Sequence, residues 1–139
     1  MNNMSLERFV NAQENPYSGY ERALEEMKQG QKRGHWIWYI FPQLRGLGFS
    51  DMAQYYGICG KQEAREYLQH PVLGARLREI TEAILLHAGQ TTAEDLMNGE
   101  IDAMKLRSSM TLFDSVSPDD IFADVLDVFF DGERCPRSR

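Results

Sequence analysis

Apolar side chains recur at spacings of three and four residues in run after run of this sequence, and most runs are closed by a glycine, a proline or an Asn-Gly pair. One buried face of an α-helix needs that spacing, whereas a half-buried strand needs strict alternation. Tyr20, Ala23, Leu24 and Met27 form the clearest stripe, with Glu21, Glu25 and Glu26 assigned to the opposite, water-facing side and Gly30 as the stop. A chain punctuated in this way folds as short helices.

The remaining elements follow from the same signals. Ser5 is read as the N-cap of a helix through Phe9, Val10 and Gln13 that stops near Pro16. Ser50 is read as the cap of another, and Lys61 to Gln69 as a helix that turns Ala64, Tyr67 and Leu68 inward. Pro71 suits the first turn of a long helix with the stripe Val72, Leu73, Leu77, Ile80, Ile84 and Leu85, ended by Gly89. Thr91 with Glu94 reads as a capping box, closed at Asn98-Gly99, and Asp102 as the cap of a helix with the stripe Ala103, Leu106, Met110 and Phe113. Ser117 as cap, Pro118 at the first helical position and Gly132 as stop bracket Ile121, Phe122, Val125 and Phe129. Glu133 to Arg139 is read as a loose, locally basic tail.

His35 to Phe41 is ambiguous, because four aromatics and two isoleucines favour a strand. No partner strand is evident, and a lone strand leaves its backbone unpaired, so the segment is read as a short buried helix ending before Pro42. The expected fold class is all-α, a compact single-domain bundle of about seven to nine short helices over residues 1–132, with 133–139 outside it.

Length and charge narrow the functions. A chain of 139 residues suits one domain, and no repeat or Pro/Gly/Ser-rich linker divides it. A net charge of −6 opposes bulk nucleic-acid binding, but not a small anion held by a few nearby cations. The two cysteines, Cys59 and Cys135, form no CxxC pair, which suggests neither a zinc site nor a disulfide scaffold and fits a cytoplasmic location. The first residues lack a basic and apolar leader, and the longest apolar run, Trp36 to Phe41, is far short of the roughly twenty residues a membrane helix needs. No motif calls for a metal or an organic cofactor.

Two stretches concentrate chemistry. In the first, running from His35 to Gly48, Trp36 can wall a pocket for a flat ligand or plug the core, Gln43 and Arg45 offer directed hydrogen bonds, and Gly46 and Gly48 permit close backbone approach. His35 is a candidate acid or base, or an ordinary structural histidine. In the second, Lys105, Arg107 and Ser108 lie among further hydroxyls, either as an anion-holding face or as a solvated helix surface. Glu66 precedes His70 by one turn and Glu63 by two, and Glu63 is the candidate carboxylate for proton transfer.

The block HWIWYIFPQLRGLG at 35–48, the His70-Pro71-Val72-Leu73-Gly74 step and the run Lys105-Leu106-Arg107-Ser108-Ser109-Met110-Thr111-Leu112-Phe113 together resemble a bacterial family known as domain of unknown function eighteen-ten. The resemblance extends over nearly the whole chain. It implies a compact all-α fold and no assigned reaction. The residues themselves suggest a pocket for a nucleotide-like or other anionic aromatic ligand, with metal-independent hydrolysis or group transfer as the chemistry. The alternative is a helical interaction module without catalysis.

Overall fold

A computed structural model describes residues 3–138, which form nine α-helices and a closing 3₁₀ turn. In chain order these are α1 (Asn3–Gln13), α2 (Tyr20–Gln29), α3 (Ile37–Ile40), α4 (Asp51–Tyr55), α5 (Lys61–Gln69), α6 (Leu73–Leu85), α7 (Ala93–Met97), α8 (Glu100–Val116), α9 (Ile121–Phe130) and the turn Pro136–Ser138. Among the described residues the only extended pairing is a single parallel bridge between Leu44 and Ile58. The chain is therefore all-α.

Two helices organise the rest: α6 packs against α2, α5 and α9, and α8 packs against α3, α5, α7, α9 and the 3₁₀ turn. The spacing read from the sequence explains this, because Leu77, Ile80 and Ile84 of α6 and Ala103, Leu106, Met110 and Phe113 of α8 are all buried. Aromatic rings link the layers. Phe9 meets Tyr67 edge-on at 5.1 Å, Tyr67 lies 5.4 Å from Phe113, and Phe113 lies 5.8 Å from Phe122. Offset and edge-on contacts of this kind add to what burial alone contributes.

Several helix ends sit where competing signals placed them differently. Ser5 lies inside α1, because the helix begins at Asn3. Thr92, not Thr91, caps α7, accepting from Asp95 N at 3.1 Å. Asp120 caps α9 three residues after Ser117, whose hydroxyl donates to the Asp120 carboxylate. Asp102 falls inside the first turn of α8, drawn to Lys32 Nζ at 2.9 Å. Val72 is exposed outside its expected stripe. The Ser50 cap forms as the sequence indicates, with its hydroxyl accepting from Ala53 N.

The aromatic segment makes only one helical turn, α3, shorter than the expected 35–41. Phe41 leaves it with φ of −121° and ψ of 73°, outside the helical region that a following proline disfavours. The chain then runs beside residue 58: Gln43 O accepts from Ile58 N at 2.9 Å and Arg45 N donates to Ile58 O at 2.8 Å. Gly57 permits this approach, since a Cβ there would stand 2.7 Å from Arg45 Cα. Gly46 turns the chain away with φ of 99°, a conformation open to glycine at no steric cost.

Candidate functional site

The two stretches singled out by the sequence are brought near one another by the segment expected to trail free. Arg134 Nε donates to Asp114 Oδ2 at 3.0 Å, Glu133 pairs with Arg107 at 3.7 Å, and Cys135 N donates to Thr111 Oγ1 at 3.0 Å. Residues 133–138 are thus held along α8, and Arg139 lies outside the described residues. From there Arg137 Nη2 reaches Gly46 O at 3.4 Å, which ties the Gln43–Gly48 loop to the same face. Complementary charges on α8 and the tail were the signal available in the sequence, but no local spacing rule connects them.

The residues of the first stretch divide between interior and surface. Trp36 is fully buried against Phe41, and its indole N–H donates to Glu26 Oε1 at 2.9 Å, so it faces the core. Glu26, expected to face water, is itself buried and also accepts from Arg33 N and Gly34 N. Burial alone would raise its pKa; these hydrogen bonds, together with nearby Arg22, outweigh burial and hold it below the usual carboxylate value. Trp38 is half-buried, with Lys105 Nζ 5.4 Å from its ring centre. His35 is exposed on the turn before α3. Gln43 is buried, while Arg45 is exposed and donates to Gly57 O at 3.3 Å.

On α8, Lys105 lies 3.6 Å from Asp102, which also holds Lys32, so two cations share one carboxylate beside Trp38. Ser108 is buried on the same helix. Arg107 reaches Glu133 through Nη1, and Thr111 Oγ1 donates to Arg107 O at 2.8 Å.

Four buried donor atoms complete no hydrogen bond of good geometry: Trp38 Nε1, Arg107 Nε, Ser109 Oγ and Ser138 Oγ. All four lie on α8, on α3 or on the 3₁₀ turn, the last two both packed against α8. Each such donor costs about 1–3 kcal/mol unless an acceptor from solvent or a ligand meets it.

The other candidates lie elsewhere. Glu63 is buried, pairs with Arg8 at 3.3 Å, and accepts from Cys59 N at 2.9 Å. His70 Nδ1 accepts from Val72 N and Leu73 N at the start of α6, and Gln62 donates to Glu66. A shallow cleft of about 670 Å³ lies between α2 and α6, lined by Lys28, Arg78, Glu79, Glu82 and Leu86, none of them among the sequence candidates. Among the described residues no three His, Cys, Asp or Glu side chains group as metal ligands, and no helix is long and apolar enough to cross a membrane.

Comparison with known proteins agrees with the fold and adds no chemistry. The crystal structure of the conserved hypothetical protein Rv1873 from Mycobacterium tuberculosis matches with a TM-score of 0.88 and 42% identity, over 96% of this chain and 92% of that one. No match was found among curated proteins. Residues 3–139 match the family described as "Protein of unknown function (DUF1810)". The chain belongs to that family, DUF1810.

Proposed function

We propose that the protein binds a small anionic ligand, nucleotide-like in offering both a flat ring and acidic oxygens, on the α8 face between Trp38 and the C-terminal turn. The observation that carries this reading is the gathering of incompletely bonded donors, Trp38 Nε1, Arg107 Nε, Ser109 Oγ and Ser138 Oγ, around one helix. Lys105 over the Trp38 ring and Arg107 nearby supply local positive charge in a chain whose net charge is −6. A half-buried indole provides a stacking surface, and guanidinium groups favour acidic oxygens. Of the sequence candidates, Lys105, Arg107 and Ser108 contribute directly, and Arg45 and Gln43 belong to the adjoining loop. Two free thiols support a cytoplasmic setting, where they stay reduced.

A thermal-shift series with inorganic phosphate, AMP, ADP, NAD and ADP-ribose tests the reading. A ligand present at one hundred times its Kd stabilises by about 2.7 kcal/mol, a readily measured rise in Tm. Trp38→Phe and Arg107→Gln should each reduce that rise. Silence across the series at millimolar concentration, or a rise unchanged in both variants, would refute it.

A second reading rests on Phe49, Met52 and Tyr55, which are exposed at and within α4 at three-residue spacing. They offer an apolar patch through which two copies of this chain would associate, with no catalysis involved. Light scattering on the purified protein decides it: a monomer at all concentrations excludes self-association through this patch.

A further inference from the structure

The carboxylates along the α8 face are not held alike. Asp102 stands 2.9 Å from Lys32 Nζ and Asp114 stands 3.0 Å from Arg134 Nε, close charge-assisted contacts on half-buried side chains. Glu133 meets Arg107 Nη1 only at 3.7 Å, and its side chain is 74% exposed. Among the described residues no ion pair is longer, and no other paired carboxylate is as open to solvent. Arg107 is the more buried partner, at 25% exposure, and its Nε is buried with no hydrogen-bond partner. The guanidinium therefore keeps donor capacity that this carboxylate leaves unused.

The backbone at Glu133 is fixed independently of that contact. Its N–H donates to Phe130 O at 2.9 Å, and the next residue, Arg134, is anchored both on Asp114 and on Gly132 O. Rotation about side-chain bonds alone takes the carboxylate off Arg107, with those contacts intact.

We propose that Glu133 is a built-in competitor, a carboxylate of the protein's own that covers Arg107 and that an anionic ligand must displace in order to bind. The proposal rests on the α8 binding reading and adds a regulation of that same site. An exposed pair of this kind favours the covered arrangement by only about 1.5- to 5-fold. Apparent affinity falls in proportion to the fraction of molecules whose site is uncovered, so removing the competitor should tighten binding about two- to sixfold. A small factor of this size suits a contact that yields to a ligand and does not block it.

The test is calorimetric titration of ADP into the full chain and its variants. Glu133→Gln removes the charge but keeps an amide oxygen that can still bond Arg107, so the Kd should fall about two- to sixfold. Glu82→Gln removes one exposed negative charge from the α2–α6 cleft and controls for net charge, so it should leave the Kd unchanged. In an Arg107→Gln background, adding Glu133→Gln should bring no gain, because the group it uncovers is gone. A Kd in Glu133→Gln equal to or above the wild-type value overturns the proposal. A gain that Glu82→Gln matches, or that persists without Arg107, overturns it as well. Should wild type take up no ADP, binding that appears in Glu133→Gln supports the proposal and continued silence overturns it. The α8 reading itself falls only on silence across the whole thermal-shift series or on a rise that Trp38→Phe and Arg107→Gln leave unchanged, so the two failures are distinguishable.

Discussion

Glu26 stands on the side of α2 that helical periodicity assigns to water, yet it is only 5% exposed. The loop carrying Arg33, Gly34 and Trp36 folds over the end of α2 and needs an acceptor, and Glu26 is the carboxylate within reach. Its pKa is depressed because hydrogen bonds from Arg33, Gly34 and Trp36 overcome the opposing effect of burial. A carboxylate with a depressed folded-state pKa contributes stability that is complete above its unfolded value, near 4.5 here, and lost as pH falls through the folded value. Glu26→Gln should therefore lower stability by about 2 kcal/mol at pH 7, the magnitude expected for hydrogen bonds to a charged group. In urea titrations repeated at falling pH, the gap between wild type and variant should begin to close below the unfolded value and be gone below the folded one. A constant gap between them at all pH values would show that the ionised carboxylate is not what matters.

Helix existence was legible along most of the chain because caps and stripes are local, and α5 spans the residues its punctuation marks, Lys61 to Gln69. Helix starts were less legible where several capping residues stand together. Thr91 and Thr92 compete to open α7, and Ser117 competes with Asp120 to open α9, with tertiary partners such as Arg78 at 2.7 Å from Asp120 favouring one candidate. The join between α1 and the α4–α5 connection is equally non-local. Arg8 donates to Tyr55 O and Gly57 O, each at 2.8 Å, and pairs with Glu63, which in turn accepts from Cys59 N before α5. Both charges are buried, at 7% and 8% side-chain exposure, so removing one leaves the other's charge buried without its opposite charge. Arg8→Ala should cost about 3–5 kcal/mol in urea unfolding. Replacing both members with apolar residues should recover part of that loss and no more, because the Tyr55 carbonyl still loses the Arg8 donor and the Gly57 carbonyl keeps only Arg45. Full recovery would mean that the ion pair alone held this connection.

The candidate site is assembled from parts far apart in the chain, and this is why residue patterns disclosed its pieces but not their arrangement. Lys105, Arg107 and Ser108 were legible as a cluster on one helix, whereas the role of residues 133–138 depends on Asp114 and Thr111 one turn and more along α8. Trp36 was ambiguous because a large aromatic beside a turn suits a pocket wall and a core plug equally. Only its bond to Glu26, ten residues earlier, places it inside. If the C-terminal segment were a loose appendage, deleting 133–139 would change nothing but solubility. Held as it is by the Arg134–Asp114 pair, the Cys135–Thr111 hydrogen bond and the Arg137–Gly46 contact, it should matter to the bundle. The ion pair is partly exposed and is discounted accordingly, leaving an expected loss of about 1–3 kcal/mol, carried mainly by the part-buried Cys135–Thr111 hydrogen bond and the packing of the turn on α8. For a domain of this size that corresponds to a fall in Tm of roughly 5–10 °C. The truncated chain should also lose any ligand-induced rise in Tm, because Ser138 and the partners that position Arg107 leave with the segment. Retained ligand stabilisation in a folded, truncated chain would move the binding site away from this end of α8.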